Sequence, residues 1–274
     1  MERSVIRDPS LYFRTTCRFA APHPGTMLLR KNRGPLEEKV MMALIETLLA
    51  VTFILASLVG AGRSTEMVEV APGVFVTKKV YPVQANEQPF FGFIQKTPEI
   101  RDVDAKFTAG AISAMGNKDK AADEILARGW SALSAGDNVT AARRFNQAYL
   151  VDPGRSGVYH SFAALVHARF NDANYAEELF RIAKTRPNPM PTLNADFGRL
   201  LLIAKRGRDA QPLLEQAVKD TPEFAAAWSN LAFARYYNGD RAGACVAAIE
   251  ASRQSNTSAI QADLAILKTT AKCD

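Results

Sequence analysis

Side chains that could do chemistry are few and poorly grouped in this sequence. His160 and His167 lie seven residues apart, about 10 Å along a helix, which is too far for both to bind one metal ion. Glu177 and Glu178 are adjacent, so a helix would point them to different sides. The common zinc, thiol-redox, serine-hydrolase and phosphate-loop motifs are missing from the sequence. We therefore predict no catalytic residues, no metal site and no cofactor, and a protein that is not an enzyme.

The distribution of charge argues against a nucleic-acid-binding protein. The 274 residues carry 34 Lys and Arg against 28 Asp and Glu, a formal net charge of +6. Eight basic and five acidic residues fall in 1–61, so half of the excess lies there and the remainder is nearly balanced. We expect no nucleic-acid partner. We interpret the basic run from Lys205 to Arg208 as a solvated turn, with a contact to an anion as the alternative.

An apolar leader precedes everything else. Residues 47–61 read TLLAVTFILASLVGA, without a charge, which fits the roughly 7–15-residue core of a signal peptide better than the roughly 20 residues of a membrane span. Basic residues follow Met27, where we expect translation to start. We predict a signal peptide within 1–61, cleavage after Ala61, and a periplasmic or secreted protein. The alternatives are an uncleaved single-span membrane anchor through 40–61 that faces the periplasm, and a buried core helix.

Export would place the cysteines in an oxidising compartment. Cleavage would remove Cys17 and leave Cys245 and Cys273. A disulfide between these two is permitted there, and it would close a loop of about 28 residues. Two separate thiols, one on a helix and one near the C-terminus, are the alternative.

A linker follows the leader. Residues 62–96 contain three prolines among short β-type runs, and proline forbids a long central strand. We expect short extended segments and at most one hairpin. Phe90, Phe91 and Phe93 form a cluster that is either a latch onto the helical body or a partner-binding patch.

The region 97–121 is predicted to hold a helix that packs onto the rest of the chain. Thr97 is a good N-cap, and a proline follows at the first helical position. Apolar residues recur at helical spacing on one face, namely Ile100, Val103, Phe107, Ala111 and Met115.

A repeat occupies the remainder of the chain. Small residues recur in four apolar segments at separations of 34, 35 and 34 residues, and each segment is followed by a second one with its own fixed small residues. The repeat positions are Gly129, Ala141, Phe145, Ala148, Pro153, Ala163, Ala176, Phe180, Ala183, Gly198, Ala210, Ala217, Pro222, Trp228, Leu231, Ala232, Gly239, Ala244 and Ala251. We expect the small residues to let paired helices approach closely, and Phe145 and Phe180 to fill the gap to the next hairpin.

This pattern resembles the tetratricopeptide repeat (TPR) family, whose repeat of about 34 residues forms two helices. The resemblance implies an all-α fold: a TPR-type right-handed α-solenoid of about four helical hairpins with a C-terminal capping helix, in the layout of a bacterial exported TPR-containing protein. The repeats would span about 122–155, 156–190, 191–224 and 225–258, and the capping helix and tail 259–274.

The resemblance also implies a binding surface. In that family the first helix of each hairpin lines a concave groove. By register, the groove here would contain Trp130, Leu133, His160, His167, Arg199, Leu202, Phe233, Tyr236 and Tyr237. Such a surface suits an extended or helical peptide, with aromatic anchors and with Arg199 paired to a carboxylate. The alternative for each aromatic residue is packing against the next helix.

The sequence thus predicts an exported, non-catalytic TPR scaffold that binds a protein or peptide through the groove. A membrane-anchored accessory subunit of an envelope assembly is the alternative, motivated by the apolar leader and the Phe-rich linker. A homo-oligomeric spacer is a third hypothesis, because the ends of repeat proteins often associate with one another.

Overall fold

The structure is a computed structural model that describes residues 66–255 and 257–273. The apolar leader and the expected cleavage point after Ala61 lie outside these residues. The described part starts with a short antiparallel hairpin of β1 (Met67–Ala71) and β2 (Val74–Thr77). Two short 3-10 turns follow, at Ala85–Glu87 and Pro89–Phe93. The predicted linker therefore contains one hairpin and then an irregular, ordered segment.

Ten α-helices follow within the described residues. They are α1 (Pro98–Met115), α2 (Lys118–Ser134), α3 (Asn138–Val151), α4 (Ser156–Phe170), α5 (Ala173–Thr185), α6 (Leu193–Ile203), α7 (Gly207–Asp220), α8 (Ala225–Tyr237), α9 (Arg241–Gln254) and α10 (Ser258–Ala271). Helices α2 to α9 pair in chain order as four hairpins, and α10 packs on α8 and α9. The predicted all-α solenoid with a capping helix is confirmed. Across 66–255 and 257–273, no helix has the length and hydropathy needed to cross a membrane.

Glycine and aspartate shape the turns between the two helices of a hairpin. Gly136 and Gly239 adopt left-handed backbone conformations with φ of 82° and 89°, which cost glycine little because it has no Cβ. The side chains of Asp137 and Asp240 then cap the second helix by accepting a backbone N–H from its first turn. Asp172 caps the second helix of the second hairpin in the same way.

At two junctions between hairpins, an aromatic side chain forms a hydrogen bond with a proline carbonyl oxygen. The Trp228 indole N–H donates to the Pro222 carbonyl oxygen at 2.8 Å, and the Tyr159 hydroxyl donates to the Pro153 carbonyl oxygen at 2.6 Å. Each aromatic residue follows its proline by six positions. Both bonds satisfy a carbonyl just past the end of a helix, where the helix itself offers no donor.

The small repeat residues make room for large side chains within a hairpin. A Cβ built on Gly129 would lie 2.4 Å from Phe145 Cε1, and one on Gly198 would lie 2.6 Å from Leu214 Cγ. In both cases the large residue comes sixteen positions later, on the paired helix. The expected contact to the next hairpin is also present, because the Phe145 ring meets Phe162 of α4 edge-on at 6.5 Å.

Helix α1 uses only part of its predicted apolar face. Phe107, Ala111 and Ile112 pack against the core of the repeats, whereas Ile100 and Val103 are exposed. The helix packs mainly on α2 and α3. Gly116, with φ of 85°, follows its last residue and ends it as a left-handed C-cap.

The Phe cluster of the linker packs into the hairpins. The Phe90 ring is buried and lies 4.8 Å from the Phe162 ring and 5.2 Å from the Tyr149 ring, measured between centroids. The Phe91 ring is covered by the Lys96 ammonium at 3.4 Å. Of the two interpretations of this cluster, the latch onto the helical body is confirmed. We use the name latch for residues 81–93.

Polar contacts fix the backbone of the latch. Asn146 of α3 is fully buried; its amide group donates to the carbonyl oxygens of Asn86 and Gln88, and its side-chain oxygen accepts the Phe91 N–H at 3.0 Å. Phe90 and Phe91 take positive φ of 55° and 54°. Such backbone costs about 1–3 kcal/mol per residue and persists only where the surroundings impose it. Here the buried ring and the Asn146 bonds do so.

Glu87 adds an ionic contact to the latch. Its carboxylate accepts hydrogen bonds from Arg143 of α3 at 2.9 Å and Arg169 of α4 at 2.8 Å, and Arg169 also donates to the Glu87 carbonyl oxygen. The hydrogen bond from Arg169, joined by the one from Arg143, holds the pKa of the Glu87 carboxyl below its usual value. The latch therefore joins the first hairpin to the second.

Adding a methyl group at Gly129 tests the packing within the first hairpin. The Cβ of G129A has no room beside the fully buried Phe145 ring. We expect a free energy of unfolding lower by about 1–3 kcal/mol, the usual cost of overpacking, measured by urea denaturation. Gly110 of α1 is the matched control, because nothing lies within 4 Å of its built Cβ. There the same change should add up to about 1 kcal/mol of helix stability. Equal effects at both sites would contradict the interpretation.

Replacing Glu87 by Gln tests the latch. A carboxyl whose folded-state pKa is lowered stabilises the fold above its unfolded pKa of about 4.3, and the contribution disappears as the pH falls through the folded value. We expect E87Q to unfold at lower urea concentration than the wild type at pH 7, and the difference to shrink as the pH falls from about 5 to about 3.

Glu223 provides the control for that experiment. Its side chain is exposed and forms no ion pair with the residues that the structure describes. The E223Q variant should follow the wild type at every pH. A difference between E87Q and wild type that stays constant with pH would show that the Glu87 charge does not hold the latch.

Candidate functional site

Part of the predicted groove is closed. Trp130, Leu133 and His160 are 6%, 0% and 0% exposed, so these three do not line an open surface, and the peptide-binding role predicted for Trp130 and His160 is wrong. Their rings pack with each other instead: Trp130 meets His160 edge-on at 5.0 Å between centroids and lies 5.9 Å from the Phe145 ring. For these two residues the alternative, packing between helices, is the one that the structure supports.

His160 has a partner that the sequence did not suggest. Its Nε2 lies 2.8 Å from Asp196 Oδ2, and both side chains are buried. Burying polar groups is costly unless they pair, so this contact ties α4 of the second hairpin to α6 of the third. No third His, Cys, Asp or Glu of the described residues joins the pair in a group that could hold a metal ion. The one available signal was an acidic residue, Asp196, inside a mostly apolar helix, LNADFGRLLLI.

The remaining predicted groove residues lie on α4, α6 and α8. His167, Arg199 and Leu202 are half-buried. Arg199 donates to the Asn230 side-chain oxygen at 3.2 Å, which links α6 to α8. Burial, and then the nearby Arg199 charge, lower the pKa of His167. These three residues are therefore only partly accessible to a partner.

An open aromatic cluster lies at the end of α8. Tyr237 is 52% exposed, its ring lies 6.2 Å from Phe233 and 5.6 Å from Tyr236, and both of these neighbours are half-buried. Ile203, which the sequence analysis missed, is 40% exposed. It occupies the position on α6 that Tyr237 occupies on α8, five residues after Gly198 and Ala232 respectively. We call Ile203, Phe233, Tyr236 and Tyr237 the aromatic surface.

The basic run forms a pocket beside Tyr237. A cavity of about 340 Å³ is lined by Lys205, Arg206, Gly207, Arg208, Asp209, Tyr237 and Asn238. Arg206 pairs with Glu177 at 2.6 Å and with Asp209 at 2.7 Å. The Asn238 amide donates to the Gly207 carbonyl oxygen at 3.2 Å. The turn between α6 and α7 is thus tied to the end of α8. We call this cavity the basic pocket.

The two cysteines form a disulfide. Cys245 on α9 is bonded to Cys273, with Cα atoms 5.3 Å apart. The bond holds the end of the chain after α10 against the last hairpin. Ile260 of α10 packs with Ala225 and Ala251 beneath the cap, so the disulfide fastens the helix that covers this end of the core.

Known proteins resemble this chain in structure rather than in sequence family. No protein-family model matches this chain, and no curated protein matches it. A solved structure from the functional characterization of Pseudomonas aeruginosa pilF is similar over 57% of this chain and 71% of that one, with 21% sequence identity and a TM-score of 0.49. The fold of this chain, a TPR-like helical repeat, follows from its own four stacked hairpins and capping helix.

Proposed function

We propose that this protein is an exported, non-catalytic scaffold that binds a protein or peptide through the aromatic surface on α6 and α8. The observation that carries the proposal is the exposure of Tyr237 next to Phe233 and Tyr236, together with the exposure of Ile203 at the matching position on α6. Clustered apolar side chains left open to water are typical of binding surfaces. Tyrosine in particular supplies a large contact area and is common among the residues that dominate binding energy.

The position of the latch supports the choice of this surface. Latch residues cover part of α3 and α4 through Asn146, Arg143 and Arg169. The first helices of the first two hairpins bury Trp130 and His160. On α6 and α8, by contrast, Ile203 and Tyr237 are exposed, which leaves the ends of these two helices accessible to a partner.

Alanine substitutions test the aromatic surface. The partner is first captured from the envelope fraction with the wild-type protein as bait and identified by mass spectrometry, and its affinity is then measured with purified variants. We expect Y237A and F233A to weaken binding at least about tenfold, because aromatic anchors contribute most at binding surfaces.

Phe75 on β2 is the matched control, since it is an aromatic residue with 54% exposure outside the aromatic surface. The F75A variant should bind as the wild type does. Unchanged binding by Y237A, or an equal loss in F75A, would contradict the proposal.

Export is the second part of the proposal. The Cys245–Cys273 disulfide supports it, because such bonds persist in oxidising compartments and are rare in the cytosol. The uncharged run 47–61 supports it as well. The alternative within this proposal is a membrane-anchored accessory subunit of an envelope assembly, with the same run retained as a tether.

Fractionation separates these cases. For a cleaved exported protein we expect release with the periplasmic contents, and an N-terminus at residue 62 by sequencing. Retention in the membrane pellet after a high-salt wash, with 47–61 still attached, would establish the anchored alternative. Recovery in the cytosol with free thiols at Cys245 and Cys273 would overturn export.

A further inference from the structure

We propose that the basic pocket holds a carboxylate of the bound partner, so that the scaffold recognises an acidic peptide segment that places an apolar side chain on Tyr237 and an acidic side chain between Lys205 and Arg208. This inference rests on the proposed function, because it names the chemistry of the partner for the same part of the molecule. Tyr237 belongs to both the aromatic surface and the pocket lining, so one short peptide reaches both.

The basic pocket has an excess of positive charge. Arg206 is neutralised by Glu177 and Asp209. The side chains of Lys205 and Arg208 line the same cavity and form no ion pair or hydrogen bond with the residues that the structure describes. The pocket therefore carries two uncompensated positive charges in a concave site, which attracts a carboxylate.

The backbone at Lys205 also sets this turn apart from the others. In the first and fourth hairpins the turn has Gly136 and Gly239 in the left-handed conformation, whereas the third hairpin has Lys205 there with φ of 60°. A lysine in this conformation costs more than a glycine. A basic side chain therefore occupies a position at which glycine would be more stable.

The helix end adds to the positive potential. Arg206 stands at the N-cap of α7 and provides no side-chain cap, whereas Asp137, Asp172 and Asp240 cap the second helices of the other hairpins. Arg206 is already paired with Asp209 of the first turn, so the positive charges that face an incoming carboxylate here are those of Lys205 and Arg208. An anion is also favoured at this place by the positive end of the α7 dipole, and no other turn within a hairpin combines these features.

The cavity has room for part of a peptide. About 340 Å³ accommodates a carboxylate side chain together with part of the peptide backbone, and the open ring of Tyr237 at its edge offers an apolar contact. A neighbouring apolar side chain of the peptide then packs on Tyr237 and Ile203. The recognised feature is therefore an apolar residue flanked by acidic ones.

Fluorescence polarisation with three synthetic peptides tests the inference. The peptides are fluorescein-labelled octamers with a common Phe-Leu centre, flanked by Glu and Asp in the first, Gln and Asn in the second, and Lys and Arg in the third. At low ionic strength we expect the acidic peptide to bind the full chain at least tenfold more tightly than the amide version. The basic peptide should bind most weakly. In 0.5 M salt the preference should fall to about twofold, because exposed charges are screened.

Two variants assign the preference to the pocket. The double variant K205E/R208E should lose at least tenfold in affinity for the acidic peptide and stay within twofold for the amide peptide. The control K219E/K268E changes the net charge by the same amount at exposed positions outside the pocket and should bind like the wild type. The variant K205G should raise the melting temperature, since glycine suits the left-handed position, while it lowers the affinity for the acidic peptide about threefold to tenfold.

Three other outcomes would contradict recognition of an acidic segment by the basic pocket. Equal affinity for the acidic and amide peptides, or no binding of either at millimolar concentration, refutes recognition of an acidic segment. Neither result bears on the aromatic surface, which the captured partner and Y237A test separately. If K205E/R208E instead loses binding to vesicles of anionic phospholipid while the peptides do not discriminate, the pocket binds a membrane surface and the inference is wrong.

Discussion

The fit between a small residue on one helix and a large side chain on its paired helix determines how the hairpins form. Gly129 and Gly198 leave space that Phe145 and Leu214 fill, with no room for even one added methyl group. Because protein interiors are close-packed, this fit sets the distance between the paired helices and the direction in which the large side chains point. The same Phe145 ring then meets Phe162 in the next hairpin, so packing within a hairpin also positions its neighbour.

The latch makes the two halves of the solenoid different. It fastens the first and second hairpins through the buried Asn146, the Glu87 ion pairs and the Phe90 ring. The left-handed backbone at Phe90 and Phe91 shows that these contacts outweigh local preference. The third and fourth hairpins are held by other means: the Arg199–Asn230 contact between them, and the disulfide at the C-terminal end. Their first helices carry the exposed aromatic residues, and the turn between α6 and α7 carries the basic pocket.

Departures from the repeat coincide with the candidate site. Three of the four turns within hairpins use Asp as the cap, which satisfies backbone N–H groups and matches the helix dipole. The remaining turn places Lys205 and Arg206 there instead. Local rules that a sequence follows elsewhere and breaks in one place are expected at functional sites, because function rather than stability selects those residues. This break lies next to Tyr237, the most exposed residue of the aromatic surface.

The sequence by itself determined the solenoid, its four hairpins and the capping helix, because the spacing of small residues repeats about every 34 positions and depends only on helical geometry. It also supplied the basic run, the latch hypothesis and the pair of cysteines. Only the tertiary structure decided which first-helix residues are open. Trp130 and Tyr237 both lie on the first helix of a hairpin, in the first and the fourth repeat respectively, yet one is buried against His160 and Phe145 while the other is half exposed. Register along a helix fixes the face on which a side chain lies, but the depth of burial depends on the neighbouring hairpins and on the latch. Those contacts join residues far apart in the chain, such as Glu87 with Arg169 and His160 with Asp196, and no local pattern encodes them.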